Sequence, residues 1–186
     1  MTAQSFEKLF YEGRETHMAA EPLNPYLRKL NNIAFVSFRT DCWRGYFGTW
    51  EIIEDKLFLT GLEGSAEITD MKAYAAEKKR LKQMLKDGLI TPMDNGKMLK
   101  KIKESLTTQE EITLQTLFPG QEKVFAYWVS GHIRVPEGEM LNYVHMGYDS
   151  VYEKNLFLNF QNGILTGKTL VDNHIEDDNS DFMITR

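Results

Sequence analysis

One cysteine in 186 residues, Cys42, leaves this chain no intrachain disulfide and no cysteine-rich zinc site. Positive charge is also short. The formal net charge is −5, which argues against nonspecific nucleic-acid binding by the molecule as a whole. The first twenty residues lack the apolar core of a signal peptide, and no apolar run nears membrane-spanning length. A reducing cytoplasm and no membrane partner are therefore expected. There is no internal repeat, no low-complexity tract and no glycine-rich phosphate loop. What remains is ordinary for a soluble globular protein: 42% hydrophobic and 26% charged residues, consistent with a single domain over 1–186.

The N-terminal stretch reads as a short helix. Ser5 is placed to cap it, Phe6, Leu9 and Phe10 form an apolar stripe, and Gly13 can end it. Pro22 and Pro25 break the chain before a turn around 26–30. From Ile33 the period changes to two. Strands are expected over 33–38, 43–53 and 57–62, the last two joined by a turn at Glu54-Asp55-Lys56. Gly48-Thr49-Trp50 resembles the GxW signature near the first strand of lipocalin-like barrels, although here it falls in the second expected strand. That triplet assigns no family. Trp43 and Trp50 are read as core residues.

The segment 65–106 differs in kind. A helix is expected over 70–87, capped by Thr69 and stopped by Gly88. A second starts at Thr91-Pro92 or Asp94-Asn95 and carries Leu99, Ile102 and Leu106. This segment holds ten Lys and Arg against six Asp and Glu, so its +4 leaves −9 on the remainder. It reads as a basic helical hairpin inserted into an acidic β body. Its lysine face invites a nucleic-acid reading, but the acidic body disfavours it.

After Thr107 the β pattern returns. A strand is expected over 112–117, and two hairpins follow. The first spans 124–146 around a turn at Pro136-Glu137-Gly138-Glu139. The second pairs 156–161 with 164–170 across Asn162-Gly163, placing Phe160 opposite Leu165 and Leu158 opposite Gly167. The segment 172–186 reads as a mobile acidic tail. The expected fold is thus α+β and mainly β. It is an antiparallel meander of about eight strands, curled into a barrel or a strongly bent sheet, with an N-terminal helix and an inserted basic helical hairpin.

Chemistry is concentrated on the hairpin 124–146. Alternation puts Val129, Ile133, Val135, Met140, Val144 and Met146 on an apolar face. Trp128, Ser130, His132, Arg134, Tyr143 and His145 share the other. With Val135 opposite Met140, His132 would face Tyr143 and Ser130 would face His145. The two histidines would then come within reach of a shared water or metal. No third ligand or orienting carboxylate completes a set, so neither metal nor cofactor is expected. Cys42 is read as a buried structural thiol.

Two functions compete. One is a noncatalytic binding module whose Trp128, Ser130, His132, Arg134, Tyr143 and His145 face grips a protein partner or a small ligand, while the basic hairpin suits an acidic protein surface or the acidic body of a second copy of the chain. The other is a small hydrolase-like or metal-dependent enzyme using His132, Tyr143 and His145.

Overall fold

The computed structural model describes residues 2–173. Within them the chain is α+β and mainly β, with ten strands in one mixed sheet. Strands β1 (Glu7–Tyr11) and β2 (Arg14–Met18) form a hairpin; a one-turn helix α1 (Asn24–Leu27) and strand β3 (Ile33–Phe35) follow. Strand β4 (Tyr46–Ile53) turns at Glu54-Asp55 into β5 (Lys56–Thr69). Helices α2 (Met71–Lys86) and α3 (Pro92–Ser105) lead to β6 (Thr107–Thr113), a one-turn α4 (Leu114–Leu117) and β7 (Val124–Phe125). Strands β8 (Gly131–Asn142), β9 (Val151–Gln161) and β10 (Ile164–Asp172) end the described chain.

β5 is the hub. One of its edges takes β4 and then β3, and the other takes β10, β7 and β6 in turn. The path through the sheet runs β2-β1-β4-β5-β10-β9-β8. The core lies on the inward side of this path, where Leu9, Trp50, Leu57, Leu59, Ile133, Val135, Leu158 and Phe160 are buried.

This corrects the expected meander and barrel. β1 runs parallel to β4, with Leu9 beside Trp50, because the chain crosses over through α1 and β3 before returning. The sheet does not close either. Its end strands β2 and β8 approach at one backbone hydrogen bond, Ala19 N–H to the Arg134 carbonyl (2.8 Å), without forming a ladder.

The N-terminal helix is corrected too. Glu7, Leu9 and Tyr11 point inward at a period of two, so the segment is a strand. The helix-like spacing of Phe6, Leu9 and Phe10 combined residues from different faces. Phe6 precedes the strand and packs on Tyr148 and Tyr152. A charged residue in an inward slot hid the alternation.

The hairpin at 124–146 does not form. β7 stops at Phe125, and β8 runs straight through Pro136-Glu137-Gly138 to pair with β9, Val135 opposite Leu156 rather than Met140. The expected turn is instead a bulge on the last strand of the path, where proline's missing N–H is tolerated. Gly138, at φ +78°, brings its backbone against the Glu153 side chain, whose carboxylate accepts from Glu139 N–H at 3.2 Å. On the intended apolar face Val129, Ile133 and Val135 are buried, while Met140 and Met146 are exposed.

Asn162-Gly163 does turn β9 into β10, with Phe160 opposite Leu165. A bulge after Leu165 puts Lys168, not Gly167, opposite Leu158. The strand expected over 112–117 ends at Thr113, where a Thr113/Thr116 capping box starts α4. Trp50 is fully buried as expected, but Trp43 is 48% exposed.

The helical segment begins later than 65, since β5 continues to Thr69 and pairs there with Thr107. Asp70, rather than Thr69, caps α2 by accepting from Ala73 N–H. No helix of the described residues is long and apolar enough to cross a membrane. Of the acidic tail, Asp172 closes β10 opposite Lys154; Glu176, Asp177, Asp178 and Asp181 lie outside the described residues.

Candidate functional site

The six residues expected to share a polar face are dispersed. Trp128 belongs to the core, where its indole N–H donates to the Pro22 carbonyl (2.9 Å) and its ring stacks on Phe118. Ser130 accepts from Asn162 N–H at the β9–β10 turn. His132 sits opposite Asn159 and edge-on to Phe157. Arg134 is half-buried and holds the loop 143–150 by donating to the carbonyls of Tyr148 and Ser150. Only Tyr143 and His145 meet, with Tyr143 Oη 3.0 Å from His145 Nδ1. The pairings His132/Tyr143 and Ser130/His145 are absent because β8 pairs with β9 along its whole length. No group of three or more His, Cys, Asp or Glu among the described residues is arranged to hold a metal.

What the fold does build, at the end where β8 meets β9, is a small aromatic pocket. Its walls are the segment Ala3–Phe6, Met140 on β8, Tyr143, Gly147, Tyr148 and Ser150 from the loop, and Tyr152 on β9; its volume is about 150 Å³. Gln4 N–H donates to the Gly147 carbonyl (2.7 Å), stitching the N-terminal segment to the loop. Phe6 stacks on Tyr148 with ring centroids 5.8 Å apart. Ser150 Oγ accepts from Val144 N–H at 3.1 Å, which folds the loop back on itself. Met140 and Tyr143 at the mouth are exposed, Tyr143 by 55%.

Behind Tyr148 lies a buried polar network. Arg44 Nη1 donates to the Tyr148 hydroxyl (2.9 Å) and to the Ser5 carbonyl (2.8 Å), both residues of the pocket wall. Its Nε lies 3.1 Å from Glu7 Oε1, with both side chains essentially inaccessible. That contact is an ion pair off the hydrogen-bonding direction, and Arg44 Nη2 is buried with no hydrogen-bond partner among the described residues. Glu7 Oε2 accepts from the Trp50 indole N–H. Burial pushes the Glu7 carboxyl up to about 7, even with the Arg44 guanidinium and the Trp50 donor favouring its charged form. Burial likewise raises the Tyr148 phenol, so its hydroxyl stays protonated near neutrality.

Gly48 makes room for this network. A Cβ at Gly48 would overlap the Glu7 carboxylate and the Trp50 indole nitrogen. Gly48→Ala is therefore expected to cost about 1–3 kcal/mol, read from the urea midpoint; an unchanged midpoint would mean that Glu7 and Trp50 move aside freely.

The GxW triplet thus has a local physical reason here, with Gly48 and Trp50 both closing on Glu7. No family model, curated protein or solved structure matches this chain. Glu7, Phe6 and Tyr148 were missed by sequence reasoning. The available signal was a carboxylate on the inward phase of Glu7-x-Leu9-x-Tyr11.

Proposed function

We propose that this protein is a noncatalytic binding module, and that it grips one apolar or aromatic group in the pocket beneath Met140 and Tyr143. The pocket itself supports this reading. Its ~150 Å³ matches a space that takes a single benzene-sized ring. Pockets for whole small ligands are usually larger, about 300–1,000 Å³. An anchoring side chain from a protein partner fits that size better than a free metabolite. Met140 and Tyr143 supply exposed apolar surface at the mouth, and two neighbours of its wall, Met146 beside Gly147 and Trp43, whose backbone N–H donates to Gln4 Oε1, are exposed as well. Recognition surfaces draw most of their energy from such aromatic and methionine-rich centres. The Tyr143–His145 hydrogen bond holds the mouth tyrosine in place without ordering cost on binding.

Two probes that mimic anchor side chains, p-cresol and indole, test the idea by amide chemical shifts. Saturable shifts are expected at Gln4, Gly147 and Ser150, with Tyr143→Ala weakening the affinity by ~3–10-fold, the value of one aromatic contact. Shifts scattered over the surface, or none at those three amides, would remove the pocket from consideration.

A further inference from the structure

The hairpin of α2 and α3 ends in a built apolar tip. α2 stops in a glycine-ended turn. Asp87 closes the helix, Gly88 sits at φ +70° with its N–H on the Leu85 carbonyl, and Leu89 N–H donates to the Met84 carbonyl at 2.9 Å. Two residues later Thr91 and Asp94 form a capping box, and Pro92 fixes the first turn of α3. The connection is therefore defined rather than slack. The apolar residue after such a glycine turn ordinarily packs back on its own helix. Here Leu89 is 69% exposed and Met93, four residues on, 67% exposed, both at the connection between the two helices.

Cations flank the tip. Helices α2 and α3 carry ten Lys and Arg against three Asp and Glu, leaving −12 on the rest of the chain. Lys82 and Lys86 lie in the last turns of α2, and Lys97, Lys100 and Lys101 follow on α3, all exposed. Leu81, the one buried residue of the two helices, is not part of the body's core. A groove bounded by Lys100, Lys103, Asn31 and Gln109 separates the root of α3 from the sheet. A second groove runs along α3 itself, from Ile90 to Glu104.

We propose that this tip docks on an anionic lipid surface, with Leu89 and Met93 entering the headgroup layer and the lysines flanking it. Three observations favour a membrane over another partner. First, nine of the ten cations are lysines. Protein interfaces are depleted in lysine and enriched in arginine, whereas diffuse attraction to anionic lipid needs only point charge. Second, two exposed apolar side chains at one helix connection suit shallow insertion, and a phosphate backbone offers them nothing. Third, the hairpin solves the problem of its own acidic body. Sixteen residues of α2 span ~24 Å, about three Debye lengths at physiological salt, so the tip can meet an anionic surface with the body's negative charge screened. This contact is independent of the aromatic pocket.

Co-sedimentation of the full chain with vesicles tests it. Binding is expected to vesicles of phosphatidylcholine containing phosphatidylserine, not to phosphatidylcholine alone, and is expected to fall with added salt. Lys86→Gln and Lys97→Gln should each weaken it about fivefold. The double change Leu89→Asp, Met93→Asp should weaken it by roughly tenfold or more with the unfolding midpoint unchanged, because both sites are exposed. Tyr143→Ala, in the pocket, should bind vesicles like the wild type. A wild-type chain left in the supernatant with anionic vesicles at low salt, or undiminished binding by the double variant, would overturn the proposal, and so would loss of binding by Tyr143→Ala.

Discussion

Arg44→Met is expected to lower the unfolding free energy by about 3–5 kcal/mol at pH 8, because it removes two hydrogen bonds and the counter-charge that lets the buried Glu7 carboxyl ionise, so that Glu7 must take up a proton on folding. Methionine keeps much of the apolar stem, which limits the packing loss. At pH 5 the same change should cost less. Glu7 is then protonated in both chains, and what is lost is packing and the two hydrogen bonds to Ser5 and Tyr148, each worth about 1 kcal/mol. Urea unfolding at the two pH values measures the difference directly. Equal costs at both would mean that Glu7 does not ionise in the folded chain over this range.

The wild type should itself be more stable in mild acid. The Glu7 carboxyl rises from 4.5 to about 7 on folding, so between those values the folded chain keeps a proton that the unfolded chain releases. Stability from this group is therefore fully present below about pH 4.5 and is lost as the pH rises through 7. The full swing is about 3 kcal/mol, since each pH unit of displacement is worth ~1.4 kcal/mol. Glu7→Gln, which mimics the protonated acid, should flatten the profile between pH 5 and 8 and should match the wild type best at the acid end. A wild-type profile that climbs from pH 5 to 8, with Glu7→Gln following it in parallel, would show that the ion pair outweighs burial.

These two results bear on why some of the architecture was legible and some was not. The Asn162-Gly163 turn, the capped basic helices and the inward phase of Ile133, Val135, Leu158 and Phe160 all follow from local rules, and the structure has them. The parallel pairing of β1 with β4 does not follow from any local rule. It depends on Glu7 meeting Trp50 and Arg44, partners about forty residues away, and a lone inward carboxylate reads as a break in the pattern. Pro136-Glu137-Gly138-Glu139 failed for a related reason. The same residues serve a turn or an edge bulge, and only the position of β8 at the end of the sheet decides which. The polar face of the expected hairpin fell with that register. Of its six residues, Tyr143 lines the pocket, and Arg134 serves it indirectly by holding the loop.

The five-partner arrangement around β5 also sets a timetable. Its partners range from Ile33 to Ile164, so its edges can be filled only after most of the chain exists. A topology so rich in distant pairings belongs with slow folders, in the millisecond-to-second range even when complete. On the ribosome, β5 ends at Thr69 and the residue of β10 that pairs with it, Ile164, is synthesised ~5–20 s later at 5–20 residues per second. Until Val124 and Phe125 emerge, partway through that interval, Leu59 and Phe58 have β4 on one side and nothing on the other. The nascent chain thus carries an open apolar strand edge until β7 emerges, and the last hairpin only completes it, which makes β5 the natural binding point for a chaperone during synthesis.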